Sequence, residues 1–181
     1  GGEPVQNTDE LGRLANHGKV MNAEGWVQNT GKIDVSAGES SAAQGRVTLS
    51  GQFVGSSGEI QAQGLNGTPG GRVLVTSSEK TVLTHTSQID TSGAGNGDAG
   101  NIVIWSDRGT LVDGTIMARG GDAGGNGGGI EISGLETVHL IGTVDAAAPH
   151  GERGTLLLDP KNITVATGGP ATLTEVDSFG D

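Results

Sequence analysis

The sequence predicts an all-β fold: a right-handed parallel β-helix, or solenoid, with about 28 residues and three short strands per rung. Three observations carry this. Ile33, Ile60, Ile89, Ile116 and Val144 recur at spacings of 27, 29, 27 and 28 residues. Each is followed by a glycine-rich run and then by a strand of alternating apolar residues. Only 33% of the 181 residues are apolar and 2% aromatic, against 35 glycines. That is too little to offset chain entropy in a globule, yet enough for a thin ladder in which each rung touches only its neighbours. A fixed period of this length marks stacked supersecondary units.

The isoleucine series defines the first strand of each unit. The second strand carries Val47 and Leu49, Val73 and Val75, Ile102 and Ile104, Ile130 and Ile132, Leu156 and Leu158, with Gly45, Gly71, Gly100, Gly129 and Gly154 at or just before its start. Alternation over Asn101–Ser106, Arg46–Ser50 and Gly129–Ser133 is strand periodicity, with Thr48 and Glu131 turned outward. Third strands run through Phe53-Val54, Thr81 to Leu83, Thr110 to Val112, Val138 to Leu140 and Ile163 to Val165, which makes the coil triangular. Asn66-Gly67, Asn96-Gly97 and Asn126-Gly127 fall inside the loops between first and second strands, where Asn-Gly favours the positive φ of tight turns. Helix-start signals are confined to Asn7–Asn16 and Ala171–Phe179. The chain thus divides into an N-terminal segment over 1–17, a β-helix of five to six rungs over 18–168, and the start of a following segment over 169–181.

The formal charge of −11 and the scarcity of aromatics leave no basic, stacking face for nucleic acid. There is no cysteine, so neither a disulfide framework nor a cysteine metal site exists. No apolar run approaches the ~20 residues of a membrane-spanning helix. The first residues, Gly1 to Asn7, lack the basic start and apolar run of a signal peptide, and the abrupt ends suggest a piece of a longer protein.

The carboxylates are the first candidates for chemistry, because a β-helix can also carry polysaccharide-cleaving sites. Asp34, Asp90 and Asp145 each follow an anchor residue and share a register, but Gln61 and Met117 interrupt the row. A broken row without a basic cluster predicts a solvated face, with no catalytic, cofactor-binding or metal-binding residue assigned. Asp98 and Asp122 supply one carboxylate to each of two glycine loops, so weak calcium binding is the most that these loops suggest. The four histidines, His17, His85, His139 and His150, have no metal-type spacing, and His139 is expected to point out of its strand. Asn66-Gly67-Thr68 and Asn162-Ile163-Thr164 fit the short glycosylation tripeptide. Trp105 is expected to face away from the ladder, packed beneath a loop or, as the lesser reading, offered to a sugar.

The run Gly100-Asn101-Ile102-Val103-Ile104-Trp105-Ser106-Asp107 resembles a strand of the filamentous haemagglutinin-like adhesins exported by two-partner secretion. Gly114 to Gly121 followed by Gly124 to Gly134 looks like that family's next rung, and Gly154 to Val165 is the most specific stretch. The resemblance covers roughly residues 18–177. The Asn-Pro-Asn-Gly and Asn-Pro-Asn-Leu motifs of the family's secretion domain do not occur. It implies a secreted or cell-surface bacterial filament acting in adhesion, aggregation or biofilm, without catalytic residues. Implied partners are a host-cell or glycan surface receptor, an outer-membrane transporter during export, and further copies joined head to tail into fibres. A polysaccharide-degrading enzyme on the same coil, or a stalk presenting a toxin or other cargo domain, are the alternatives.

Overall fold

A computed structural model describes residues 25–38, 44–65 and 67–161. It contains thirteen β-strands and no helix among those residues, every pairing being parallel. The long sheet joins β1 (Trp26–Asn29), β3 (Arg46–Ser56), β5 (Arg72–Leu83), β7 (Asn101–Ser106), β10 (Gly129–Gly134) and β13 (Thr155–Pro160), with β8 (Gly109–Val112) and β11 (Thr137–Leu140) continuing it round a corner. The second sheet stacks β2 (Lys32–Asp34), β4 (Glu59–Gln61), β6 (Gln88–Asp90), β9 (Thr115–Met117) and β12 (Thr143–Asp145), one strand for each of five turns. The predicted solenoid is therefore the fold, with the three strands per turn placed as expected. The two helix-start segments, the strand at Ile163 to Val165, and the flanking segments 1–17 and 169–181 lie outside the described residues.

Register is strict. Ile33, Ile60, Ile89, Ile116 and Val144 pair directly from coil to coil. So do Val47–Val73–Ile102–Ile130–Leu156 and Leu49–Val75–Ile104–Ile132–Leu158. The third-strand columns are Val27–Val54–Thr81–Thr110–Val138 and Asn29–Ser56–Leu83–Val112–Leu140. These five columns form one dry core in which Ile60, Ile89, Ile104 and Ile116 are fully buried. Stacked β-branched side chains fill the interior at ~4.8 Å per rung, so few apolar residues suffice. Polar members of the columns are satisfied at the corners. Ser77 Oγ lies 2.9 Å from Thr81 Oγ1, Thr110 Oγ1 donates to Ser133 O at 2.7 Å, and Asn29 Nδ2 donates to Ser56 Oγ at 3.2 Å.

The glycine loops are built by close approach. Gly45, Gly71, Gly100, Gly128 and Gly154 stack in one column, and a Cβ on any of the last four would fall on the carbonyl oxygen of the glycine before it. The fourth member is Gly128; Gly129 opens β10, as the sequence placed it, where it pairs with Thr155 and donates its N–H to Asn101 Oδ1 at 3.0 Å. The last four column glycines donate their N–H across the coil to the residue just after the first strand: Gly71 to Ala62 O at 2.6 Å, Gly100 to Thr91 O at 2.7 Å, Gly128 to Ala118 O at 2.9 Å and Gly154 to Ala146 O at 2.8 Å. These clasps pinch the loops off from the core, so they project as a thin fin. Within the fin the outgoing and returning legs touch backbone to backbone, as at Gly64 against Thr68, Gly93 against Gly97 and Gly120 against Gly125.

The Asn-Gly expectation holds only in part. Gly67 has φ 84°, as a tight turn requires, but in the next loop Gly95 takes the positive φ of 58°. Gly97 and Gly127 instead lack φ strain and are glycines because the carbonyls of Thr68 and Ala146 occupy the space of a Cβ.

Candidate functional site

Four outward surfaces were candidates for chemistry: the aspartate row, the fin, the outer face of the long sheet and the outer strip of the third strands. The aspartate row exists as expected, running Asp34–Gln61–Asp90–Met117–Asp145 across the second sheet. Its geometry is that of a turn cap. Asp34, Asp90 and Asp145 each accept, through Oδ1, the backbone N–H two residues on, at Ser36 (3.0 Å), Ser92 (2.8 Å) and Ala147 (2.9 Å). The interruptions then explain themselves. In the coils bearing Gln61 and Met117, the equivalent N–H groups of Gln63 and Arg119 are taken by the hydroxyls of Ser36 and Ser92 from the preceding coil, both at 3.1 Å. One Asp-x-Ser therefore serves two coils.

Electrostatics point the same way. The backbone hydrogen bond from Ser36, with help from its hydroxyl and from Lys32, lowers the Asp34 carboxyl to about 2. The backbone bond from Ala147 and the Arg119 guanidinium hold Asp145 low against its partial burial. A general acid needs the opposite, a carboxyl raised towards neutrality. Because the folded value is depressed, the stability that these caps add is complete above the ordinary carboxylate value and fades as pH falls towards about 2 for Asp34.

In the fin, Asp98 Oδ1 accepts from Asn126 N at 2.7 Å, and Asn126 Oδ1 accepts in turn from Glu152 N at 2.9 Å. Asp98 is thus an inter-coil tether, and no group of three His, Asp or Glu converges among the described residues. His85, His139 and His150 are exposed, and His139 points out of β11 as expected. Asn66 and Asn162, the heads of both glycosylation tripeptides, and His17 lie outside the described residues.

The outer face of the long sheet corrects one expectation. Glu131 points away from the core, as alternation requires, yet is only 3% exposed, and Ser133 Oγ donates to its Oε1 at 3.0 Å. Period-2 alternation gives the direction of a side chain, not its contact with water. Trp105, in the neighbouring column beside Ser133, is likewise 3% exposed, and its Nε1 donates to Asp107 Oδ1 at 3.1 Å. It is a packed anchor, the favoured of the two sequence readings. Its rim joins Leu135, Glu136, Asp159, Pro160 and Lys161 around an open cleft of about 500 Å³.

The remaining surface was missed from sequence. Trp26 is 79% exposed, and its indole stacks on Phe53 with ring centroids 4.8 Å apart and planes 23° from parallel. The two residues pair in register between β1 and β3. The available signal was the 27-residue separation of the two aromatics, which equals one turn.

Compared with protein-family models, curated proteins and solved structures, the chain matches none. What fold and surface define together is a class, the parallel β-solenoid with capped turns and outward faces repeated along its axis.

Proposed function

We propose that this chain is a structural and adhesive segment of a secreted or surface-attached bacterial filament of the filamentous haemagglutinin-like kind, working by reach and avidity. The observation that carries this reading is the unbroken register of the five side-chain columns. It makes a rod, and a rod repeats its outer faces at ~4.8 Å intervals, so that individually weak contacts add. The Gly100–Asp107 and Gly154–Val165 motifs, which resemble those adhesins, support the same reading. Export through an outer-membrane transporter, and end-to-end joining of copies through strand edges, belong to it. Beads coated with the protein are expected to attach to cells and to clump with one another more than albumin-coated beads do. Beads that do neither would remove the proposal, and turnover of any member of a glycan panel would replace it with an enzymatic one.

A further inference from the structure

We propose that the outward strip formed by the third strands is a binding surface for an acidic polysaccharide, with Trp26 as its stacking platform and Lys80 as its anion contact. The proposal rests on the adhesive reading above and names its partner. Two columns make the strip: Trp26–Phe53–Lys80–Gly109–Thr137 and Gln28–Gly55–Val82–Leu111–His139. Their outward positions hold no Asp or Glu, on a chain whose net charge is −11.

Each feature suits a sugar chain. Phe53 fixes the indole of Trp26 from one side, so the platform is oriented before any ligand arrives. The free aromatic face is electron-rich and takes the C–H face of a pyranose ring. Gln28 and Gln52, both exposed, flank it with amides that can donate to and accept from hydroxyls. Glycines at 55 and 109 leave the strip shallow between its larger side chains. Lys80 is exposed, next in register to Phe53, and in no ion pair among the described residues. Of the two acids at the edge of the strip, Glu79 beside Lys80 is ion-paired with Arg108 at 3.0 Å and Glu136 beside Thr137 lies at the far end from Trp26, while acids beyond about 8 Å are screened at physiological ionic strength. Five strands span about 20 Å, room for several sugar rings. A basic peptide would find no partner here, and a neutral polysaccharide would leave Lys80 unused.

The test titrates the intact 181-residue protein with polygalacturonate, chondroitin sulfate and dextran, following tryptophan emission and mobility in affinity gels. The chain's two tryptophans are distinguishable, since exposed Trp26 emits at longer wavelength than buried Trp105. The expected result is a blue shift with one or both acidic polymers, the two arms separating carboxylate from sulfate recognition, and none with dextran. Trp26→Ala should weaken binding about tenfold, as loss of a central aromatic contact does, with Trp26→Phe retaining part of it. Lys80→Gln should weaken it by a few fold and flatten its salt dependence. Undiminished binding by Trp26→Ala with an unchanged circular dichroism spectrum overturns the site, as does binding of neither acidic polymer or equal binding of dextran. Wild-type beads that attach to cells while Trp26→Ala beads attach equally well overturn the site and leave the adhesive reading standing. Wild-type beads that attach nowhere remove that reading itself, and the titrations alone then judge the site.

Discussion

The core and the fin of this solenoid are stacked on the same register but held by different matter. In the core, side chains do the work: Ile102, Ile104, Ile130 and Ile132 sit over one another and exclude water. In the fin, backbone does it: Gly97 and Gly125 lie carbonyl to Cα, and bonds such as Gly121 N–H to Gly97 O at 3.0 Å replace apolar contact. One region needs bulk at every position and the other forbids it. The same chain can therefore be poor in apolar residues, rich in glycine and still regularly stacked over its described residues.

Substitutions that exchange the two requirements give the largest effects. Ile104→Asp places a carboxylate in the middle of the dry column, without a partner, and should cost about 5 kcal/mol or more. Loss of the far-ultraviolet strand signal at room temperature is the expected outcome, and a native spectrum would contradict the interior placement. Gly100→Ala tests the other side. The added methyl meets the carbonyl of Gly71 with backbone on both sides, so neither group can move aside cheaply. A loss of about 3 kcal/mol in urea unfolding is expected. Gly67→Ala is the internal comparison, because nothing surrounds a Cβ there and only its φ of 84° resists, at about 1 kcal/mol. Equal losses at both positions would show that conformation, not close approach, selects glycine in the fin.

These contrasts also mark what could be read without coordinates. The core was legible because Ile33, Ile60, Ile89, Ile116 and Val144 keep one period and one chemistry. Periodicity is a property of the chain itself. The aspartate row was legible as a row, since Asp34, Gln61, Asp90, Met117 and Asp145 share a register. Its role was not, because the cap depends on where the N–H groups of Ser36, Gln63, Ser92 and Arg119 point after the corner. Gly97 and Gly127 misled for a related reason. Asn-Gly is a local turn signal, while the constraint on these glycines comes from the carbonyls of Thr68 and Ala146, 29 and 19 residues away along the chain. Trp26 and Glu131 show the limit of alternation, which places both outward although one is exposed and the other buried.

An effect as small as that of Gly67→Ala, but of opposite sign, is expected where the two regions meet. Thr91 directly follows the first strand of its coil, as Ala62 and Ala118 follow theirs, and all three are fully buried. Its backbone is fully used, the N–H donating to Met117 O at 2.9 Å and the carbonyl accepting from Gly100 N at 2.7 Å. Its hydroxyl, buried completely, has no hydrogen-bond partner. An unmatched buried hydroxyl forfeits its hydration and gains nothing in return. Thr91→Val keeps the shape and replaces that oxygen with a methyl group at a fully buried position. The clasp to Gly100 is left intact, since it uses the carbonyl alone. A gain of about 1 kcal/mol is expected, read as a higher urea midpoint at unchanged slope. A lower midpoint would mean that the hydroxyl serves the neck between core and fin, and that the core does not end cleanly at the glycine column.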